Sequence, residues 1–314
     1  MGVTATRPLT LGEGSTPLVA APRLSERLGV ELHLKCEGAN PTGSFKDRGM
    51  AVAVGRAAAA GAHTVVCAST GNTAASAAAY AARAGLRAVV LTPQRATASA
   101  KRAQARAAGA SLIELAGSFD DALRCCRELA QQDGFVLVNS INPDRLEGQK
   151  TVVRELLDEL GAAPDVIALP YGGGGNTVAY AKGFAEDGAK PRMISAHSDQ
   201  RATTLASAIR IAEPAHLAEV EALVADGTVE PVAVTDEDIT RMWLDLASLE
   251  GIFCEPSSAA GLAALSTLVL EPGSTVVCVL TGHGLKDTAA VEVLTEPARL
   301  VEPTVESILA EVSR

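Results

Sequence analysis

Short, wholly apolar segments alternate with alanine-rich amphipathic segments along most of the chain, and this alternation restricts the possible folds more than any other feature. Strands that are apolar on both faces are typical of parallel sheets, and the intervening segments supply the helices that parallel strands need as crossovers. We therefore predict an α/β fold of open parallel sheets with helices on both faces. The predicted strands are residues 64–68, 88–92, 111–115, 135–139, 166–169, 192–196 and 275–280. The predicted helices are residues 72–84, 97–108, 119–132 and 146–160.

Length and charge exclude several classes of protein. The 314 residues correspond to roughly two domains of about 150 residues each. Lysine and arginine number 27 against 37 acidic residues, which leaves a net charge of −10 and no basic excess for nucleic acid. Arginines such as Arg56 and Arg83 break the alanine-rich runs, which fall short of the ~18 apolar residues that a spanning helix needs. We predict neither a nucleic-acid partner nor a membrane partner.

The six cysteines and the start of the sequence indicate a reducing compartment. No C-x-x-C pair occurs, and Cys67 and Cys278 lie inside apolar runs, where cysteine behaves as a small hydrophobic residue. No basic stretch followed by an apolar core opens the sequence, as it would in a secretion signal. We expect free thiols and a cytoplasmic location.

Several glycine-rich segments follow predicted strands, at the sheet edge where open α/β proteins bind ligands. Residues 40–49 do not follow a predicted strand. They form a turn, and Lys46 lies in it at the point where a helix could begin. A lysine at a helix start is poorly placed for the helix dipole. It is either an ordinary surface lysine or an amine whose lowered pKa suits it to form a Schiff base.

Two further segments provide groups that bind anions. Residues 68–76 place hydroxyls, an amide and free backbone N–H groups at a strand-to-helix turn, which suits a carboxylate or a phosphate. Residues 170–177 contain four consecutive glycines, as expected where main chain approaches a phosphate closely. No Gly-Lys-Ser/Thr follows them, and Thr177 stands where a dinucleotide-binding fingerprint needs its third glycine, so neither of those motifs is present.

The last segment, residues 280–287, brings a hydroxyl from Thr281 and an imidazole from His283 to the end of an apolar strand. No second histidine lies at metal-ligand spacing, so we predict no metal site. One lysine in a turn, a phosphate loop, a carboxylate cradle and a neighbouring hydroxyl together suit pyridoxal phosphate.

These segments resemble the threonine synthases of the shorter bacterial and archaeal kind, within the fold-type-II pyridoxal-phosphate enzymes. The resemblance runs nearly from end to end of the chain. The matching strings are EGSTPL (13–18), NPTGSFKDRGM (40–50), ASTGNTAASAAAYAARAG (68–85), FDDALR (119–124), VNSINPDRLEGQKT (138–151), SAIRI (207–211), VTDEDI (234–239), EGIFCEPSSAA (250–260) and LTGHGLKD (280–287).

The resemblance implies a role for each matching residue. Lys46 matches the lysine that holds the cofactor covalently and later moves protons, and Asn72 matches the partner of the cofactor's ring hydroxyl. Thr281 matches the hydroxyl that faces the pyridine nitrogen. The phosphate loop of the cofactor corresponds to Gly172, Gly173, Gly174, Gly175 and Asn176. The α-carboxylate of the substrate corresponds to Ser69, Thr70 and Thr73, and its phosphate to Asn139, Ser140 and Arg145.

The same resemblance implies the activity and the arrangement of the chain. The enzyme would be a carbon–oxygen lyase that converts O-phospho-L-homoserine and water into L-threonine and phosphate. A small mobile domain over residues 51–148 and a large cofactor-binding domain over residues 1–50 and 149–314 would enclose pyridoxal phosphate in their cleft. Relatives are commonly homodimers, so a homodimer is expected.

The sequence departs from the family pattern where the substrate is expected. The family usually has asparagine where this chain has Gly173, and residues 196–206 are about a dozen residues shorter than the usual segment. Residues 95–98 replace a glycine-containing turn. A specialised relative that acts on another phosphorylated or γ-substituted amino acid is therefore an alternative. A serine/threonine dehydratase is another, although the retained residues 139–145 argue against it. A binding protein without catalysis is disfavoured, since Lys46, Asn72 and Thr281 are all present.

Overall fold

The computed structural model describes residues 8–94 and 100–312, which form two β-sheets covered by helices. The strands are β1 (Leu18–Ala20), β2 (Glu31–Cys36), β3 (Thr64–Ala68), β4 (Arg87–Pro93), β5 (Ser111–Leu115), β6 (Phe135–Leu137), β7 (Val166–Pro170), β8 (Arg192–Ser198), β9 (Val229–Val234) and β10 (Thr275–Leu280). The α/β class with helices on both sheet faces, predicted above, is confirmed.

Thirteen α-helices are found within the described residues, and none of them is both long and apolar enough to cross a membrane. The helices are α1 (Pro22–Leu28), α2 (Lys46–Ala59), α3 (Asn72–Ala84), α4 (Ala100–Ala107), α5 (Phe119–Leu129), α6 (Pro143–Gln149), α7 (Thr151–Leu160), α8 (Gly175–Glu186), α9 (Leu217–Ala225), α10 (Asp236–Glu250), α11 (Ala260–Thr267), α12 (Ala289–Leu294) and α13 (Val305–Val312).

The six-stranded sheet has the order β1-β2-β10-β7-β8-β9. All its pairs are parallel except that of the edge strand β1 with β2, which is antiparallel and was not predicted. Central strands such as β7 are buried at every residue. One face packs on helices α10 and α11 through side chains such as Trp243 and Leu262, and the other face packs on α7 and α8.

The four-stranded sheet has the order β5-β4-β3-β6 and is parallel throughout. Helices α2 and α3 cover one face with an alanine-rich layer around Tyr80, and α5 covers the other through Cys126. All four strands fall inside the predicted small domain of residues 51–148. The domain boundaries themselves stay a prediction.

Helices α2 and α6 cross in close contact at Gly148. A Cβ on Gly148 would lie 2.0 Å from the carbonyl oxygen of Arg48, so only glycine fits there. The predicted helix over 146–160 is two helices in the structure. Asn142 caps α6, with Pro143 as its first residue, and α7 begins after Lys150. The predicted helix over 97–108 corresponds to α4, and residues 95–99, with the departure noted there, lie outside the described residues.

Candidate active site

The turn before Lys46 is fixed to the end of strand β10. Lys46 is the first residue of α2, as predicted, and the backbone N–H of Phe45 donates to the carbonyl oxygen of Thr281 at 3.0 Å. Ser44 forms a β-bridge with Gly282. The fold thereby brings Lys46 beside Thr281, although most of the sequence separates them.

The amine of Lys46 has an unusual electrostatic environment. Its pKa is lowered to about 7: burial is the largest cause, the positive charge of Arg145 acts in the same direction, and Glu255 opposes both. Its Nζ lies 4.2 Å from the centre of the Phe45 ring, over the aromatic face. An amine with this pKa is about half neutral at physiological pH, which a Schiff-base lysine requires.

Asp47 holds the lysine turn in shape from inside the protein. Its carboxylate accepts hydrogen bonds from the backbone N–H and the hydroxyl of Thr42, and from the hydroxyl of Ser76 on α3, each at 2.6 Å. Burial raises its pKa, while these hydrogen bonds act in the opposite direction. Asp47 therefore joins the lysine turn to the helix that carries Asn72.

The glycine loop lies after strand β7, which neighbours β10 in the sheet. Gly174 has a φ of +85°, which favours glycine, and helix α8 begins at Gly175 with its N-terminus at the loop. Asn176 is buried, and its Nδ2 has no hydrogen-bond partner among the described residues. The loop thus offers backbone N–H groups and one free amide to an anion.

Two of the loop glycines differ in the space around them. A Cβ on Gly172 would lie 3.1 Å from Cα of Ile209 and 3.2 Å from the carbonyl oxygen of Ala208, which is tight. A Cβ on Gly173 would meet only Cδ1 of Ile211, at 3.7 Å, an ordinary contact. A side chain can therefore be accommodated at residue 173.

Hydroxyl groups cluster at the end of β10. The buried hydroxyl of Thr281 lies 3.1 Å from that of Ser258, which also accepts from the backbone N–H of Gly282 at 3.0 Å. His283 has a structural part here: its Nδ1 accepts from the backbone N–H of Leu285, and its own N–H donates to Gly43. Across residues 8–94 and 100–312, no group of three or more His, Cys, Asp or Glu side chains is arranged for a metal ion.

Glu255 is a site residue for which no role was predicted from the sequence. It is buried, and its Oε2 accepts from Nδ2 of Asn72 at 2.7 Å. A Cβ on Gly282 would lie 1.8 Å from that same oxygen, so glycine at 282 makes room for the carboxylate. Asn72 keeps a second N–H for another partner, and its Oδ1 has none in the described structure.

Lys101 on α4 pairs with the buried carboxylate of Glu255. This pair links a helix of the four-stranded sheet to the end of β10 in the six-stranded sheet. Its Nζ forms an ion pair with Glu255 and lies 3.6 Å from the carboxylate of Asp287. Lys286 donates to Gln104 on the same helix at 2.7 Å. The sequence did offer a signal for Glu255, which is the charged residue in a run of small and apolar residues, 254–260. A charge in such a run is expected to be buried, and a buried charge is almost always paired.

The predicted carboxylate cradle lies between β3 and α3. The hydroxyl of Ser69 accepts from the backbone N–H of Gly71 at 3.1 Å, whereas Thr70 is exposed and Thr73 is half-buried. No described atom lies within 4 Å of a Cβ built on Gly71. The segment therefore borders open space after β3.

Asn139 and Ser140 lie beside this cradle but are held by protein groups. The side-chain amide of Asn139 accepts from the N–H of Ala68 and donates to its carbonyl oxygen, both at 2.9 Å. The carbonyl oxygen of Ser140 accepts a hydrogen bond from the His216 ring at 2.9 Å. Asn139 in this structure secures the end of β3, and the predicted contact of its amide with a substrate phosphate stays a prediction.

Arg145 is the most unusual charge in the molecule. Its side chain is fully buried, Nη1 donates to the carbonyl oxygen of Val138 at 2.9 Å, and Nε and Nη2 have no partner among the described residues. Burial lowers its pKa to about 10. A buried guanidinium with two unused nitrogens is suited to bind an anion. A Cβ on Gly49, about one turn after Lys46 on α2, would lie 2.8 Å from Nε of Arg145, and the positive charge of Arg145 lowers the pKa of Lys46.

Comparisons with known proteins agree with this geometry. A family model described as pyridoxal-phosphate dependent enzyme matches residues 9–282. A threonine synthase of Halalkalibacterium halodurans is 46% identical, with 93% of this chain and 89% of the relative covered. A threonine synthase of Mycobacterium leprae is 49% identical, with 89% of this chain and 84% of the relative covered.

Solved structures share the fold at lower sequence identity. A fungal L-serine ammonia-lyase from Rhizomucor miehei has a TM-score of 0.80 at 24% identity and covers 90% of this chain and 97% of its own. Maize serine racemase has a TM-score of 0.77 at 23% identity and covers 89% of this chain and 91% of its own. At these identities the likeness concerns the fold.

Proposed function

Because the chain belongs to the pyridoxal-phosphate-dependent enzyme family, and within it to the threonine synthases, we propose that it converts O-phospho-L-homoserine and water into L-threonine and phosphate. In the net reaction the Cγ–O bond of the substrate breaks and phosphate leaves with that oxygen. Cβ loses a proton and gains the hydroxyl of a water molecule, and Cγ gains a proton. The observation that carries the proposal is Arg145, a buried cation with two unpaired nitrogens that packs against Gly49, about one turn after Lys46 on α2.

The residues present fit pyridoxal phosphate. Asn72 and Asn176 are buried and each has an amide atom without a partner among the described residues. Residues 172–175 expose backbone N–H groups at the start of α8, and a partly neutral amine stands at Lys46. We propose that Lys46 holds the cofactor, that residues 172–176 hold its phosphate, and that Asn72 and Thr281 hold its ring. When bound, pyridoxal phosphate withdraws electrons from the substrate's Cα and so allows protons to leave the neighbouring carbons.

Lys46 is also placed to move protons. A group whose pKa is about 7 can accept and return a proton near neutral pH with little cost in either direction. Its Nζ lies over the ring of Phe45, whose backbone N–H is bonded to the end of β10. We assign proton transfer at the substrate carbons to Lys46 Nζ.

The charge of Arg145 favours a phosphorylated substrate over a neutral one. A planar guanidinium can donate in parallel to two phosphate oxygens, and such charge-assisted bonds are strong in a buried site. Each such bond contributes about 1.5–3 kcal/mol. A serine/threonine dehydratase would leave this buried cation uncompensated, since its substrates carry no phosphate.

One pair of observations favours a specialised relative as the second candidate. Gly173 stands where threonine synthases usually carry asparagine, and residues 196–206 are shorter than usual. In the structure, Arg201 of this segment lies 4.4 Å from the centre of the Tyr171 ring, and His197 packs against the edge of the same ring. The shortened segment therefore packs directly before the glycine loop.

Incubation of the cofactor-loaded protein with O-phospho-L-homoserine tests the proposal. Threonine and phosphate are followed together, and the proposal predicts that they are released in equal amounts. Phosphate with 2-oxobutanoate would indicate elimination without hydration. Absence of turnover by a protein that retains its bound-cofactor absorption would shift the assignment to a specialised relative.

The oligomeric state and the cellular location of the protein are also proposals. We propose a homodimer and a cytoplasmic location, both supported by the resemblance to bacterial threonine synthases. Light scattering coupled to size exclusion gives the mass in solution, and a monomer at working concentration would contradict the first. Fractionation of the source cells tests the second.

A further inference from the structure

His216 connects the two segments that are proposed to hold phosphate groups. Its backbone N–H donates to the carbonyl oxygen of Gly173 at 3.0 Å, and its ring Nε2 lies 2.9 Å from the carbonyl oxygen of Ser140. A Cβ on Gly175 would lie 3.3 Å from the imidazole ring. The ring is buried, so it packs directly behind the glycine loop and against residues 139–145.

The hydrogen-bond partners of His216 determine its charge. The carbonyl oxygen of Ser140 can only accept, so Nε2 must carry a proton. Nδ1 lies 3.1 Å from a carboxylate oxygen of Glu219, which also accepts when ionised. The pKa of Glu219 is lowered by a hydrogen bond from its own backbone N–H and by His216, so it is ionised near neutral pH. Hydrogen bonds to both partners at once therefore require a proton on each ring nitrogen, which is the cationic form of the imidazole.

The position of this ion pair directs its positive end toward the loop. The imidazole is enclosed by protein, whereas the Glu219 side chain is 54% exposed and faces solvent. Water screens the carboxylate more than the buried ring. The glycine loop and the start of α8 consequently have a positive charge behind them in addition to their own N–H groups.

We infer that His216 is a positioning residue that supplies a cation behind the glycine loop and fixes residues 139–145 relative to it. The inference rests on the proposed function, since it assigns the loop to the cofactor phosphate and residues 139–145 to the substrate phosphate. Loss of the ring removes both the charge and the link between the segments. Cofactor affinity and substrate affinity are therefore coupled through this one side chain.

Nitrogen NMR of histidine-labelled protein tests the charge directly. The holoenzyme is compared with the His216→Gln variant, which identifies the resonance, and with the Glu219→Gln variant, which keeps the ring and removes its ionised partner. We expect the wild-type ring to be protonated at both nitrogens near neutral pH, and the Glu219→Gln variant to lose part of the Nδ1 proton. A wild-type ring protonated only at Nε2 overturns the assignment of a cation.

Binding measurements on the cofactor-free protein test the positioning role. We expect His216→Gln to weaken pyridoxal-phosphate affinity by about three- to tenfold, the effect of removing one screened charge beside a bound anion, and to shift the phosphorus NMR resonance of the bound cofactor. His33→Gln is the matched control, because His33 also pairs with a glutamate, Glu31, but lies on β2. Equal affinities and identical resonances for wild type and His216→Gln would overturn the role.

Steady-state kinetics separate this inference from the proposed function. With O-phospho-L-homoserine, His216→Gln should raise KM by a similar factor and change kcat by less than about twofold. The reason is that the residue affects the binding of the substrate and of the transition state equally. An unchanged KM would overturn the link to residues 139–145. If wild type does not turn this substrate over, the proposed function fails, while the affinity and NMR results still decide whether His216 supports the loop.

Discussion

Replacement of Arg145 by methionine should improve the stability of the ligand-free protein while it damages substrate binding. The lowering of the Arg145 pKa from 12.5 to about 10 corresponds to about 3 kcal/mol of unfavourable free energy for the charged side chain in the folded state. At pH 7 the guanidinium is protonated in both the folded and the unfolded protein, so the whole amount counts against folding. Methionine has a similar length and no charge.

The loss of one hydrogen bond reduces this gain. Nη1 of Arg145 donates to the carbonyl oxygen of Val138, and leaving that oxygen without a donor costs about 1 kcal/mol. The net expectation for Arg145→Met is a gain of about 2 kcal/mol in the unfolding free energy of the apoprotein. Urea denaturation of wild type and variant measures it.

The same substitution should remove the binding of the substrate phosphate. Two charge-assisted hydrogen bonds contribute about 3 kcal/mol or more, so KM for O-phospho-L-homoserine should rise by at least about a hundredfold. With cofactor bound, so that the glycine loop is occupied, inorganic phosphate should raise the melting temperature of wild type and not that of the variant. Arg145→Lys is the control that keeps a charge without the planar fork. A variant destabilised by several kcal/mol, with KM unchanged, would mean that Arg145 is a structural residue.

The remaining predictions concern the lysine and the loop. Lys46→Ala should abolish both turnover and the visible absorption of bound cofactor; retention of that absorption in the dialysed variant would contradict the assignment. The rate at which apoprotein captures pyridoxal phosphate should rise between about pH 6 and pH 8 and then level off, because the neutral amine reacts and the pKa of Lys46 is about 7; stopped-flow absorbance measures it, and a midpoint near the ordinary lysine value would refute the lowered pKa. Gly173→Asn should fold normally and lower KM for O-phospho-L-homoserine by several-fold, because a Cβ there meets only Ile211 and the added amide can donate to phosphate; an unchanged KM would mean that this side chain does not face the substrate.

Local sequence signals predicted the elements whose ends carry strong local chemistry. The predicted strands over 64–68, 111–115 and 275–280 and the helix over 72–84 coincide with the structure, because apolar runs end there at glycine or polar turns. The antiparallel edge strand β1 has only three residues, two of them exposed, and offers too little pattern to detect. The division of residues 143–160 into two helices falls at Lys150, where the sequence has neither glycine nor proline to mark it.

The residues of the site also fall into those that local sequence signals predict and those that depend on tertiary contacts. The segments around Lys46, Asn72, Gly174 and Thr281 were predicted because each carries its own turn chemistry. Gly174 and Thr281 follow the neighbouring strands β7 and β10, and the lysine turn and Asn72 are joined to the end of β10 through Phe45 and Glu255. Glu255, Lys101 and His216 act through partners that are distant in sequence, so nothing in their immediate neighbours shows what they contact. Likewise, the engagement of Asn139 with Ala68 depends on the pairing of β3 with β6 and was not visible in the sequence.

The most direct test of the central claim is to run the reaction in water enriched in a heavy oxygen isotope and to analyse both products by mass spectrometry. The proposed function breaks the Cγ–O bond and adds water at Cβ, so the heavy oxygen should appear in the hydroxyl of threonine and the released phosphate should be unlabelled. Heavy oxygen in the phosphate, with homoserine as the other product, would mean that the P–O bond is hydrolysed and would contradict the assignment of this chain as a carbon–oxygen lyase.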